Sequence, residues 1–289
     1  MSPNLLELIS TAAPAPLVAP GVFDGLSARV AELAGFSVIY ASGGAIARSA
    51  GLPDLGLLSM TEVRDRMAQI CSAVEQAGVI ADIDTGFGNA LNVHRTAEEF
   101  VRVGVCALQL EDQVTPKKCG HYAGKDLIST AEMCAKITAA RQALGGAPVS
   151  LIARTDAIAI DGIRSAIDRA RRYQDAGADI LFVEAPESVE QIEYIAAELD
   201  GSTLLLNMFE GGRTPLVPMT RLAELGFRLI IIPSDLQRAA LHAMKLVARA
   251  IAMHGDSQSV ADTLDTFNER DAVVRKSLWD AREQKAAHI

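Results

Sequence analysis

The stretch from Glu111 to His121 reads Glu-Asp-Gln-Val-Thr-Pro-Lys-Lys-Cys-Gly-His. It gathers carboxylates, ammonium groups, a thiol and an imidazole. A thiol beside cations is a tunable proton donor or nucleophile, because positive charge favours the thiolate. That singles out Cys119, with Lys117, Lys118 and His121 around it. Gly120 lets the backbone bend or approach a ligand closely. A loop this polar, bearing reactive groups, reads as a lid. Upstream, Asp82 and Asp84 are two residues apart and share a face if the strand stays regular. With Glu111 they can hold a hard divalent ion, and Mg2+ suits oxygen ligands that leave it several waters. Asp54 adds a ligand through water. Ser42-Gly43-Gly44 offers a hydroxyl and backbone N–H groups to an anion. Arg154 can grip a carboxylate through two parallel hydrogen bonds. Each signal alone reads as readily as a helix cap, a turn or a solvated loop start. The set points to Lewis-acid and proton-transfer chemistry on a small carboxylic acid. His94 and His242 read as helix residues without a role.

These groups lie far apart in sequence, so the fold must bring them together. Apolar runs begin at Leu17, Ser37, Val79, Val105, Val149, Ile180, Thr203 and Arg228. Helical patterns alternate with them. The runs are apolar on successive positions, as in a parallel sheet buried on both faces. This is the α/β pattern of a (β/α)8 TIM-type barrel. The barrel spans about 17–254, a helical extension follows over about 255–289, and the whole is one domain. A doubly wound open sheet is the alternative. The strand count and the lack of an early Gly-x-Gly-x-x-Gly favour the barrel. Active sites of such barrels lie at the C-terminal ends of the strands. Ser42, Asp82, Asp84, Glu111, Arg154, Glu184 and Asn207 stand at those ends.

The bulk numbers exclude several partners. The chain has 289 residues, 49% of them hydrophobic, and a net charge of -9. No basic stripe would hold a nucleic-acid backbone. No apolar run is long enough to span a bilayer. The N-terminal residues lack the basic and apolar regions of a signal peptide. Cys71, Cys106, Cys119 and Cys134 form no Cys-x-x-Cys pair, which suits a reducing cytoplasm.

With these motifs in view, the sequence resembles the isocitrate lyase/phosphoenolpyruvate mutase superfamily, from about Ala19 to Asn268. The pieces are Ser42-Gly43-Gly44, Asp82 to Gly88, Glu111-Asp112-Gln113, Lys117 to His121, Ala153 to Asp156 and Asn207 to Gly212. The Lys-Lys-Cys-Gly-His pentad resembles the carbon–carbon lyase branch, the 2-methylisocitrate and 2,3-dimethylmalate lyases. Ser42 to Gly44 and Leu52 to Gly56 look like the former, and Asn207 to Gly212 more like the latter. The substituents of the substrate therefore stay open.

The resemblance implies Mg2+, with Mn2+ an alternative, near Asp84. Asp54, Asp82 and Glu111 would act largely through water. It implies cleavage of a 2-hydroxy di- or tricarboxylate to pyruvate or another 2-oxo acid plus a carboxylate. Tyr40 would be the base and Cys119 the proton donor, assisted by Lys118 and His121. Ser42, Gly43, Gly44, Gly120, Arg154, Glu184 and Asn207 would bind substrate. It also implies an eighth helix swapped between subunits and a homotetramer of such pairs. The apolar stretch Leu236 to Ile251 exceeds what eight strands need for cover. Rival readings are an oxaloacetate hydrolase or decarboxylase, a phosphonomutase-type enzyme acting on carboxyphosphonoenolpyruvate or phosphonopyruvate, and a non-catalytic small-acid binding barrel. Cys119 counts against the phosphonomutase, and the intact Asp82, Asp84, Lys118, Cys119 and His121 count against the binding barrel.

Overall fold

The computed structural model describes residues 3–120 and 124–287. Its strands are β1 (Leu17–Val22), β2 (Val38–Ala41), β3 (Gly78–Asp82), β4 (Ala107–Glu111), β5 (Ser150–Thr155), β6 (Ile180–Val183), β7 (Thr203–Asn207) and β8 (Phe227–Ile232). They pair in parallel and in sequence order, and β1 closes on β8. The helices are α1 (Leu5–Ala12), α2 (Gly25–Leu33), α3 (Gly43–Ser49), α4 (Met60–Ala73), α5 (Ala90–Val103), α6 (Thr130–Leu144), α7 (Ile158–Asp161), α8 (Ile163–Asp175), α9 (Val189–Glu198), α10 (Met219–Glu224), α11 (Asp235–His254), α12 (Phe267–Val273) and α13 (Lys276–Ala286). The expected barrel and trailing helices are both present. The sequence reading lacked the short helices α3 and α7, which sit in loops after strands.

Side-chain alternation sorts the core into two layers. Val38, Tyr40, Ile80, Ala107, Ile152, Ile180, Phe182, Leu205 and Leu229 fill the barrel. Their neighbours, such as Ile39, Ala81, Leu108, Leu151, Leu181 and Leu206, pack outward against the helices. Helix α1 plugs the floor. Asn4 caps it by accepting from the N–H groups of Leu6 and Glu7, and its Leu5 and Ile9 join the inner layer. Local signals set other helix ends. Asp24 accepts from Ser27 N–H, Ser129 accepts from Glu132 N–H, and Gly104 closes α5 at φ 94°.

Helix α11 differs from the others. Among its twenty residues only Ala250 is buried, while Leu241, Met244, Ile251 and Met253 are exposed. A helix of this length normally hides an apolar stripe. No helix of the described residues is long and apolar enough to cross a membrane.

Candidate active site

One parity rule builds the site. At the C-terminal ends of six strands, the position two beyond the last inward-facing residue is polar. Ile80 leads to Asp82, Gln109 to Glu111, Ile152 to Arg154, Phe182 to Glu184, Leu205 to Asn207 and Tyr40 to Ser42. Period-two geometry therefore delivers six side chains to one rim. All but Glu111 line a cavity of about 460 Å³, together with Tyr40, Gly44, Asp54, Lys117, Cys119 and Gly120.

The acidic side is crowded. Strand β3 ends at Asp82, and Asp84 beyond it has a left-handed φ of 48°. The regular-strand expectation for Asp84 therefore does not hold. The backbone turns, a strain that recurs at functional sites, yet Asp84 stays beside Asp82. A side chain at Gly43 would meet Asp84 Oδ1 at 3.0 Å and Asp82 Oδ2 at 3.1 Å, and one at Gly44 would meet Asp54 Oδ2 at 2.5 Å. The paired glycines let three carboxylates crowd one point. Gly43 N–H donates to Asp82 Oδ2 at 3.0 Å, and Ser42 N–H to the Val22 carbonyl at 3.2 Å. Two of the N–H groups expected for substrate thus serve the scaffold. Ser42 and Gly44 line the cavity, whereas Gly43 supports the acids.

Lys117 stands among these acids. Its ammonium is 2.5 Å from Asp54 Oδ1 and 3.0 Å from Asp84 Oδ1, and it is buried. Burial pulls its pKa down, but Asp84, Glu111, Asp54 and Asp82 outweigh burial and hold it well above the ordinary lysine value. Burial, followed by the charges of Asp82 and Asp54, pushes Asp84 up to about 6 despite Lys117. Glu111 is raised well above its usual value, chiefly by burial, against the pull of Arg154 and Lys117. One ammonium therefore leaves the cluster under-neutralised. Among the described residues, Glu111 Oε1 is buried without a hydrogen-bond partner, and Asp84 Oδ1 has only its ion contact with Lys117. All the donors are hard oxygens, which fit Mg2+ or Mn2+. No three of the described acids, histidines or cysteines are set to clasp an ion directly.

The opposite side carries Arg154, Glu184 and Asn207. Arg154 is buried, gives Nε and Nη2 to Asp156 at 2.9 and 3.0 Å, and lies 3.4 Å from Glu111 and 3.7 Å from Glu184. Burial would lower its pKa, but Asp156, Glu111 and Glu184 keep it well above its usual value. Asn207 Nδ2 donates to Glu184 at 3.3 Å, which leaves its buried Oδ1 without a partner among the described residues. Tyr40 donates to Gln109 Oε1 at 2.5 Å. Burial and the charge of Asp82 hold its pKa well above that of a free phenol, so it rests neutral.

The cysteine segment meets this wall directly. A Cβ on Gly120 would lie 2.3 Å from Glu184 Oε1 and 2.5 Å from Arg154 Nη2, so any side chain there would have to displace them. Cys119 lines the cavity beside it. Lys118 departs from expectation. Gln113 clamps its backbone at both N and O, at 2.9 and 2.8 Å, and its ammonium turns to the Gly124 carbonyl. It is Lys117 that reaches the cavity. His121 lies outside the described residues.

Several contributors were not singled out in the sequence. Asp156 lies two residues beyond Arg154, so the alternation that places one places the other. Asp112 faces away from Glu111, as adjacent strand residues must. It accepts from Thr155 Oγ1, Tyr173 OH, Asp156 N–H and Arg169, and so ties β4 to β5 and α8. Lys125 and Gln109 carried no local signal, because their partners come from other loops and strands.

Comparison with known proteins agrees with this geometry. The family model for phosphoenolpyruvate phosphomutase matches residues 8–252. The chain is 44% identical over 269 residues to the 2,3-dimethylmalate lyase of Eubacterium barkeri, covering 92% of this chain and 91% of that protein. It is 43% identical over 253 residues to a 2-methylisocitrate lyase of Aeropyrum pernix, covering 88% and 81%. A crystal structure of 2,3-dimethylmalate lyase superposes with a TM-score of 0.92 at 36% identity, covering 99% of this chain and 96% of that one. The barrel, its acidic rim and these matches make the chain a member of the phosphoenolpyruvate phosphomutase family.

Proposed function

We propose that this chain, one barrel domain with trailing helices, is a cytoplasmic carbon–carbon lyase. It cleaves a 2-hydroxy di- or tricarboxylate of the 2,3-dimethylmalate or 2-methylisocitrate type into a 2-oxo acid, such as pyruvate, and a second carboxylate. One observation carries the reading. A cysteine shares a cavity with an acidic cluster on one side and Arg154, Glu184 and Asn207 on the other. That arrangement can bind both ends of a polycarboxylate and deliver a proton between them.

Asp84 would hold Mg2+, with Asp54, Asp82 and Glu111 acting through water. Bound there, the ion would polarise the substrate's hydroxyl and carboxylate oxygens. The remaining work falls to the chain's own groups. Tyr40 rests protonated, so it can take the hydroxyl proton only by passing its own on, and Asp82 is the neighbouring acceptor. As the hydroxyl oxygen forms the carbonyl, the carbon–carbon bond gives its electron pair to the leaving fragment. Arg154 and Asn207 face the charge that develops on that fragment's carboxylate. Cys119 then donates its proton to the fragment's carbon. Lys117 offsets part of the acidic charge, and His121 is assigned with Cys119 from the pentad alone.

The deciding experiment is a Mg2+-dependent screen for 2-oxo acid release from 2,3-dimethylmalate, 2-methylisocitrate and citramalate. Oxaloacetate is run alongside and scored for oxalate. Pyruvate from one of the first three is expected. Oxalate from oxaloacetate alone would replace the lyase reading with a hydrolase.

Assembly belongs to the same proposal. The exposed apolar side chains of α11 match exposed Leu26, Val30 and Leu33 on α2 in character. Helix exchange between subunits would cover both, within a tetramer of paired subunits. Light scattering at micromolar concentration is expected to give four times the chain mass. A monomer would contradict exchange.

A further inference from the structure

Lys125 makes a connection that the proposed chemistry does not use. Its side chain is buried, with 7% of the residue exposed. The ammonium donates to the Gly120 carbonyl at 2.5 Å and to Asp156 Oδ1 at 2.7 Å. Asp156 is itself buried and grips Arg154 through both carboxylate oxygens. Burial opposes ionisation of Asp156, but Arg154 and Lys125 outweigh it and bring its pKa down to about 2. The carboxylate is thus shared between two cations. One arm fixes the guanidinium, and the other reaches the backbone next to Cys119.

We infer that Lys125 is a positioning residue that sets the distance between the thiol of Cys119 and the carboxylate-binding face of Arg154. The inference rests on the lyase reading only for its kinetic part. Burying an ammonium is costly unless it is paired and hydrogen-bonded. A lysine used only for stability could pair with Asp156 and leave the cysteine segment alone. Here the same nitrogen takes a main-chain carbonyl from that segment. The opposite face of Gly120 rests on Glu184 and Arg154 with no room for a Cβ. Gly120 is therefore held from two directions. Its neighbour Cys119 can vary little in position while Lys125 is in place. Proton delivery to a carbon demands such fixity, because a displacement of about 1 Å can cost about 10²-fold in rate.

The Lys118 ammonium lies on Gly124 and its backbone on Gln113, so it holds the near side of the segment. Asp112 and Gln113 fix the base of the segment from β4. Ile128 N–H donates to the Asp112 carbonyl at 3.0 Å, and Gln113 bridges to Leu127. Those contacts secure where the segment leaves and rejoins the barrel. The Lys125 ammonium, through Asp156, ties its middle to the Arg154 wall.

The test compares Lys125→Met and Lys125→Arg with the wild-type enzyme. Hydrogen exchange is followed by mass spectrometry over the peptide 113–127, with no substrate present. Lys125→Met should exchange faster in that peptide while the strands keep wild-type protection. Under turnover, its kcat should fall by about 10²-fold with KM changed by less than about threefold, because Arg154 keeps Asp156 and Glu184. Lys125→Arg, which keeps charge and donors, should recover most of both losses. If Lys125→Met does not fold, Lys125→Gln is read against the same expectations. Wild-type exchange over 113–127 in the Met or Gln variant would overturn the inference. So would a general loss of protection that Lys125→Arg repairs without restoring kcat. The exchange measurement needs no substrate, so failure of the lyase reading would show separately, as no turnover by the wild-type enzyme.

Discussion

Cys119→Ser is expected to keep the fold and bind substrate while kcat falls by about 10²–10⁴-fold, the range general acid catalysis supplies. Cys119 lines the cavity but is not part of either hydrophobic core cluster, so its loss should leave the fold intact. A hydroxyl is far less acidic than a thiol and makes a poor donor to a developing carbanion. KM should move little, because Arg154, Asn207 and the acidic cluster still hold the substrate. A fall in kcat without a matching change in KM marks an interaction made only in the transition state. Steady-state kinetics on whichever substrate the screen identifies will show it. Wild-type kcat in Cys119→Ser would make the thiol a bystander and leave the cleavage without its proton donor.

Removal of divalent ions should abolish activity, and Mg2+ or Mn2+ should restore it. The charge pattern gives the reason. Four carboxylates share Lys117, while Arg154 is already engaged with Asp156. Binding should also appear without turnover. An ion taken up only by the folded state adds about 2.7 kcal/mol at a hundredfold its dissociation constant, so Mg2+ should raise the melting temperature of the stripped protein. Asp84→Asn should lose both the activity and the Mg2+-dependent rise. It should melt no lower than wild type without metal, since it removes a buried charge that burial, Asp82 and Asp54 disfavour. Full activity after exhaustive chelation would refute the metal assignment.

Strand number, strand order and the rim were legible because they follow from short-range rules. Apolar runs announce buried parallel strands, and the polar residue ending each run marks the rim. Arg154, Glu184 and Asn207 were found that way and are where the rule puts them. What was not legible depends on contacts between separate loops. Neighbouring lysines in one loop look alike in sequence. Gln113 holds one by its backbone, and Asp54, from another loop, captures the ammonium of the other. Gly43 reads as an anion-binding turn until Asp82 and Asp84 are seen packed where its side chain would be. Asp84 was placed beside Asp82 by assuming a regular strand, and it arrives there through a left-handed turn instead.

The plug made by α1 has a kinetic meaning. With strand side chains packing the interior and Leu5 and Ile9 beneath them, the barrel is a blind alley open at one end. A reaction that turns one molecule into two there cannot discharge its products in opposite directions. They must queue through the same doorway. The fragment nearer the mouth leaves first, and the one behind it waits. Two products formed there would leave in sequence, and the last to leave would be the one that keeps the next substrate out.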